Sequence, residues 1–294
     1  MQVVVTGASG FLGRALCAAL IDAQHTVVGV SRDPKGAAEK SGMEMSWAHL
    51  EEVDFSDTDA VVHLSGERLL PGRWTAARKS RIWSSRVEGT AALVDALRSV
   101  QSRPKVLLSA SGIAFYGHRV DDLVTESSPI GEGFLSDICR EWEGEANKAQ
   151  ALGVRVVCMR NSVILGPEGG ALKSMLPAFR MGAGGPMGKG DQPFPWMHLD
   201  DWVRFSLAAL EREDIQGAVN LVAGAVPQKA FAKSLGKALG RPSFLPAPGF
   251  ALRMMMGEGA DALLGGQNAR SERLEEWGLS PKFLDLDEAL RDVL

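Results

Sequence analysis

A few residues into the chain, the apolar run Val3-Val4-Val5 ends in Thr6-Gly7-Ala8-Ser9-Gly10-Phe11-Leu12-Gly13. It passes straight into a stretch with apolar residues at 12, 16, 19 and 20. A strand, three spaced glycines and a helix in that order restrict what the chain can fold into more than any other segment does. Gly7 permits a tight turn, Gly10 lets backbone approach a pyrophosphate, and Gly13 lets the helix pack on the strand. The helix start adds unpaired N–H groups and the positive end of its dipole. Gly7, Ser9, Gly10, Phe11, Leu12 and Gly13 are therefore the expected phosphate cradle of a dinucleotide. Thr26-Val27-Val28-Gly29-Val30 supplies the next strand and completes a βαβ unit of roughly thirty residues.

The pattern continues. Ala60 to Leu64 reads as a strand, Arg78 to Arg98 as a helix and Lys105 to Leu108 as a strand. Phe134 to Leu152 reads as a helix and Val154 to Cys158 as a strand. Strands alternating with helices predict an α/β Rossmann fold, a doubly wound parallel sheet. Beyond about Leu165 the texture changes to glycine-rich segments, with helices expected at Asp200 to Arg212, Gln228 to Leu239 and Asp285 to Val293, and two weak strands. The expected division is a dinucleotide-binding domain over 1–165. A smaller substrate-side domain follows over 166–294, with some segments returning to the first sheet.

Composition excludes other classes. The 294 residues carry 32 Lys plus Arg against 36 Asp plus Glu, a net charge of −4. That balance argues against nucleic-acid or membrane-surface binding driven by bulk charge. The basic stretch Arg73 to Arg86 reads as a solvated helix face with one functional Arg. No apolar run approaches the ~18 residues of a membrane span, and because the sequence enters a strand at once, no leader is expected. The expected location is cytoplasmic, or that of a mature organellar protein. Cys17, Cys139 and Cys158 fall in helix or strand patterns and read as reduced, buried thiols. The histidines are scattered, so no metal site is expected.

The second strand ends in Ser31-Arg32-Asp33. A carboxylate at its tip would suit the ribose 2′-hydroxyl of NAD. A hydroxyl followed by a guanidinium suits a 2′-phosphate. NADP(H) is the expected cofactor, with Asp33 in the ribose role as the alternative.

Further motifs extend the picture: His63-Leu64-Ser65-Gly66-Glu67, Ser84-Ser85-Arg86-Val87, Ser109-Ala110-Ser111, Phe115-Tyr116-Gly117 and Trp142-Glu143. Gly184-Gly185-Pro186, Pro195 to Asp201, and the tail from Gly240 through Gly265-Gly266-Gln267 follow. Together with the glycine loop, and over essentially the whole chain, they resemble the extended short-chain dehydrogenase/reductases. More narrowly, they resemble an atypical epimerase-like subgroup known as division-inhibitor homologues. The resemblance implies cofactor contacts at Leu64, Ser65, Gly66, Arg86, Ser109, Ala110 and Ile164, with Arg86 standing where ordinary members carry Asn.

The chain departs from that family at one decisive point. Ordinary members pair a Tyr with a Lys four residues later, and the Lys lowers the phenol pKa for acid/base work. Here the only tyrosine is Tyr116, and Val120 stands four positions on. In the helix that should hold the pair, Cys139 and Glu143 match best, or Ser136 and Arg140 in a shifted register. The remaining catalytic candidates are Ser111 to orient substrate and Glu143 or Tyr116 to move a proton. Cys139 reads as core, His198 as structural, Asp200 as a helix cap and Met254-Met255-Met256 as core packing.

These residues lead to an NADP(H)-dependent oxidoreductase or epimerase acting on a small carbonyl or sugar-like molecule, as monomer or homodimer. A NADPH-binding sensor with little turnover is the rival reading.

Overall fold

The computed structural model describes residues 1–70 and 72–294. Its strands, in chain order, are β1 (Gln2–Thr6), β2 (Thr26–Val30), β3 (Ser46–Ala48), β4 (Ala60–His63), β5 (Val106–Gly112) and β6 (Arg119–Val124). They continue with β7 (Arg155–Asn161), β8 (Val163–Leu165), β9 (Pro193–His198), β10 (Gly217–Leu221), β11 (Gly224–Pro227) and β12 (Gln267–Ala269). Seven form one parallel sheet in the order β10-β7-β5-β4-β1-β2-β3. The strand order switches between β1 and β4. Doubly wound folds bind ligands at such a point, beyond the carboxyl ends of the strands.

The sheet is covered on both faces, which is why its strands are apolar without alternation. On one face Val3, Val5, Val62, Leu108 and Met159 pack with Leu16 and Leu20 of helix Phe11–Asp22. Trp202 and Phe205 of helix Leu199–Glu211 join the same cluster. On the other face Val4, Val61, Leu107 and Val156 meet Leu93 and Leu97 of helix Val87–Ser99. The second half of the chain thus contributes to the first core through helix Leu199–Glu211, and to the sheet through β10. A smaller sheet, β11-β9-β8, has its own core of Leu172, Phe179, Phe194, Trp196, Phe231 and Leu290. β6 and β12 pair separately.

Several local expectations change. The helix predicted over Arg78 to Arg98 is two helices, Ala76–Ser84 and Val87–Ser99. The Ser85 hydroxyl accepts from the Glu67 N–H at 2.9 Å and donates to Ile82 O, a side-chain competition that ends the first helix. The cap of helix Leu199–Glu211 is His198, whose Nδ1 accepts the Asp200 N–H at 3.1 Å, so Asp200 lies inside the first turn. The methionine run is not core. It ends the surface helix Gly249–Met256, with Met254 67% and Met255 72% exposed and only Met256 turned inward. No helix among the described residues is long and apolar enough to cross a membrane.

Candidate functional site

The glycine loop lies at the carboxyl end of β1. Gly7 has φ +70°, and a Cβ there would lie 2.8 Å from the Leu64 carbonyl carbon. A Cβ on Gly13 would lie 2.2 Å from Gly7 O and 2.7 Å from Ala8 Cα, so the helix rests directly on the loop backbone. Gly10 is less crowded, with Gly7 O at 3.0 Å from such a Cβ. It caps helix Phe11–Asp22 with no side-chain bond and with no acidic residue in the first turn. The first N–H groups therefore remain available to an anion. Ser9 is exposed beside them. Leu12 is half-buried, and the Phe11 ring is enclosed by Gly166, Gly169 and Gly170, where any Cβ would strike it. In the sequence alone those glycines read as loop texture. Their clustering was the available signal.

Behind the loop runs a closed chain of hydrogen bonds. Thr6 Oγ1 accepts from the Leu64 and Ser65 N–H groups at 3.2 and 3.3 Å and lies 2.7 Å from His63 Nδ1. Its own hydrogen must go to that nitrogen. His63 Nε2–H then donates to Thr90 Oγ1 at 3.0 Å, which donates to Arg86 O. This chain sets the positions of Leu64, Ser65 and Arg86 relative to the glycine loop. It requires neutral His63, and burial pushes its pKa down to about 4 from 6.5. Because the folded value lies below the unfolded one, the unfolded chain binds the extra proton first. Stability is full above pH 6.5 and is lost as pH falls toward 4. The loss expected from this group is about 2 kcal/mol at pH 5. Urea unfolding at pH 7 and pH 5 measures it, and His63→Gln should flatten the difference. Wild-type stability that stays constant over this range would refute the assignment.

At the tip of β2, Asp33 caps helix Pro34–Ser41. Its carboxylate accepts the Gly36 N–H at 3.0 Å. The Ser31 hydroxyl closes a turn onto Asp33, and Arg32 is exposed with no bonded partner among the described residues. In the sequence alone Asp33 is weighed only for the ribose; Asp33 before Pro34 at the first helical position is the signal that would have shown the cap. On the opposite side Arg86 reaches toward Gly66, whose Cβ would lie 3.2 Å from the guanidinium carbon. Arg86 forms no ion pair among the described residues. It bonds Ile82 O and the Ser85 hydroxyl and lies over the Trp142 ring at 5.2 Å. Burial pulls its pKa below the ordinary value, against the nearby charge of Glu67, so a half-buried cation faces the loop without a direct ion-pair partner among the described residues.

At the carboxyl end of β5 the catalytic candidates meet a residue that sequence reading missed, Arg160. Ser111 on β5 stands opposite Arg160 on β7, which stands opposite Asn220 on β10. Ser111 Oγ donates to Glu143 Oε1 at 2.7 Å. Arg160 donates from Nε to Oε1 and from Nη2 to Oε2, both at 2.8 Å, and from Nη1 to the Tyr116 hydroxyl at 2.7 Å. Tyr116 donates in turn to Asn220 Oδ1 at 2.8 Å. Tyr116 is fully inaccessible, and burial raises its pKa despite the neighbouring Arg160. Its proton is committed to Asn220, so the phenol supports the row of residues and offers nothing to a substrate. Both oxygens of Glu143 are likewise engaged.

Cys139 is buried beside Ser111, and burial with the Glu143 charge pushes its thiol up to about 11. Ser109 is buried with its hydroxyl on Ala110 O, and Ala110 and Ile164 are nearly inaccessible. Ser136 is also buried, bonded to Ala114 O and Glu132 O. Away from this region, oxygen and nitrogen atoms of His198, Asp200 and Asp292 lie within 4.8 Å of one another. Since His198 Nδ1 accepts the Asp200 N–H, the ring proton sits on Nε2, 3.2 Å from Asp292 Oδ2. That nitrogen has no lone pair for a cation.

Residues 3–222 match the NAD dependent epimerase/dehydratase family, and residues 247–293 match a domain of unknown function (DUF1731). The chain is 38% identical over its whole length to the chloroplastic SDR39U1 homolog of Arabidopsis thaliana, an epimerase family protein, covering 87% of it. It is 36% identical to the mouse SDR39U1 protein, with both chains covered in full. Among solved structures, human SDR39U1 with NADPH superposes with a TM-score of 0.89 at 32% identity, over 100% of this chain and 99% of that one. A UDP-glucuronic acid 4-epimerase from Bacillus cereus, in complex with UDP-glucuronic acid and NAD, shares the fold. Its TM-score is 0.79 at 20% identity, over 100% of this chain and 98% of that one. The chain belongs to the NAD dependent epimerase/dehydratase family.

Proposed function

We propose that the protein binds NADP(H) across the carboxyl ends of β1, β2, β4 and β5 and acts as an oxidoreductase or epimerase on a small carbonyl or sugar-like molecule. The observation that carries the cofactor choice is the state of Asp33. Its carboxylate is engaged in capping its own helix, while Arg32 leaves a free guanidinium where a 2′-phosphate would lie. The crowding at Gly7 and Gly13 fits a loop shaped for close backbone approach. Arg86 offers a second cation that forms no ion pair among the described residues. The NADPH-bound human relative supports the same reading. The nicotinamide supplies or accepts a hydride at C4. On the protein side, Ser111 orients the carbinol or carbonyl carbon, with residues 166–294 furnishing most of the substrate side.

Wild-type protein is expected to bind NADPH more tightly than NADH, and Arg32→Ala to remove most of the difference. An Arg–phosphate contact is worth about 1.5–3 kcal/mol, roughly ten- to hundredfold in affinity. Calorimetry with both nucleotides measures this, and equal wild-type affinities would overturn the reading. The engagement of Tyr116 and Glu143 favours a second reading, a NADPH-binding regulatory protein with little turnover. Spectroscopic screening of bound NADPH against sugars, aldehydes and ketones separates the two, since only an enzyme oxidises it.

A further inference from the structure

We propose that Arg160 is the positioning residue of the site and that, through Glu143, it makes Ser111 a hydrogen-bond acceptor selecting a substrate that presents a hydroxyl group, a secondary alcohol, over one presenting a carbonyl. The proposal rests on the NADP(H) reading only for the location of the site. It concerns which group the substrate offers to Ser111.

The argument is one of hydrogen-bond polarity. A guanidinium only donates, and a carboxylate only accepts. Arg160 binds both oxygens of Glu143, so the carboxylate is fixed in place. Besides Arg160, the group that hydrogen-bonds it among the described residues is the Ser111 hydroxyl at 2.7 Å. Serine has a single hydroxyl hydrogen, and here it points at Glu143. The lone pairs of Ser111 Oγ are what remain. A carbonyl oxygen set against them places two acceptors face to face, whereas an alcohol O–H finds a partner. The neighbouring Cys139 thiol is a weak donor and does not reverse this preference.

The arrangement is held from every side. The guanidinium carbon of Arg160 lies 3.5 Å from the Phe115 ring centroid. Its third contact, the Tyr116 hydroxyl, is anchored by Asn220, whose Nδ2 donates to Arg270 O at 3.0 Å. Ser111, Arg160 and Asn220 share one row across three adjacent strands, so the polarity is set by sheet register and not by a mobile loop. Ordinary extended members use a lysine-activated phenol. In this chain Glu143 sits on the helix expected to carry that pair, and the cation comes from β7.

The test is an NMR titration of NADP+-saturated protein with two matched probes, cyclohexanol and cyclohexanone. Wild-type protein is expected to bind the alcohol at least about tenfold more tightly, the scale of one hydrogen bond satisfied or opposed. Ser111→Ala should bring the two affinities together. Arg160→Lys, which holds Glu143 less rigidly, should reduce the ratio, a readout that a merely structural role would leave unchanged. Equal wild-type affinities, a preference for the ketone, or no binding of either probe overturns the proposal. An unchanged ratio in Arg160→Lys overturns the role of Arg160. Calorimetry of wild-type protein with NADPH is run alongside, and failure there overturns the cofactor reading instead.

Discussion

Gly13→Ala is expected to lower the unfolding temperature by several degrees and to weaken NADPH binding by tenfold or more. The added methyl would lie 2.2 Å from Gly7 O and 2.7 Å from Ala8 Cα. Both are backbone atoms, so no side chain can turn aside. Either helix Phe11–Asp22 lifts off the sheet or the loop opens. Overpacking of this kind costs ~1–3 kcal/mol, and more when backbone must move. In a chain of this size each kcal/mol corresponds to roughly 2–4 °C. The affinity loss follows because the displaced atoms are those of the phosphate cradle. Gly10→Ala, which meets one atom at 3.0 Å, should be much milder. Thermal melts and calorimetry on both variants check this. A Gly13→Ala protein with wild-type melting and affinity would show that the loop is not built for close approach.

The second large effect is expected at Arg160. Arg160→Met strips Glu143, only 9% exposed at its side chain, of its counter-charge and removes a donor from the Tyr116 hydroxyl. Breaking a buried ion pair by removing one partner costs ~3–5 kcal/mol, because an uncompensated charge stays inside. Glu143→Leu should cost a similar amount for the mirror reason. The double variant Arg160→Met/Glu143→Leu should be more stable than either single, since no charge is left unpaired. Denaturant unfolding of the four proteins completes the cycle. Strict additivity of the two single losses would sink the claim that the pair is coupled.

The sheet and the glycine loop were legible because their signals are local. A β-branched run, three glycines and a helical stripe lie within some twenty residues and allow one reading. The Asp33 cap was missed, although Asp33-Pro34 carries its signal. What stayed hidden depends on register between distant strands. Arg160 was an unremarked cation in a buried strand, and nothing near it in the chain points to Glu143, 17 residues earlier. Tyr116 finds its partner Asn220 104 residues away, on a strand that belongs to the same sheet only through the course of the second half. Tyr116 therefore entered as a proton donor by residue type. Its saturation became evident only with its neighbours in place. The break at Ser85 was concealed for a similar reason, since the competing N–H comes from Glu67 on another loop.

The placement of β10 and of helix Leu199–Glu211 bears on how this molecule is made. β1 belongs to a sheet whose last strand in chain order, β10, ends at Leu221, so translation must run on well past β1 before the sheet can close. Until then the Leu16 and Leu20 face lacks Trp202 and Phe205, and the outer edge of β7 is unpaired. At roughly 5–20 residues per second, translation leaves that apolar surface open for about 10–40 s. Exposed apolar surface and an unpaired strand edge of this kind make a folding intermediate aggregation-prone. A stop codon near residue 165 would release a fragment with an exposed strand edge and an unfilled core, a species destined for aggregation or proteolysis.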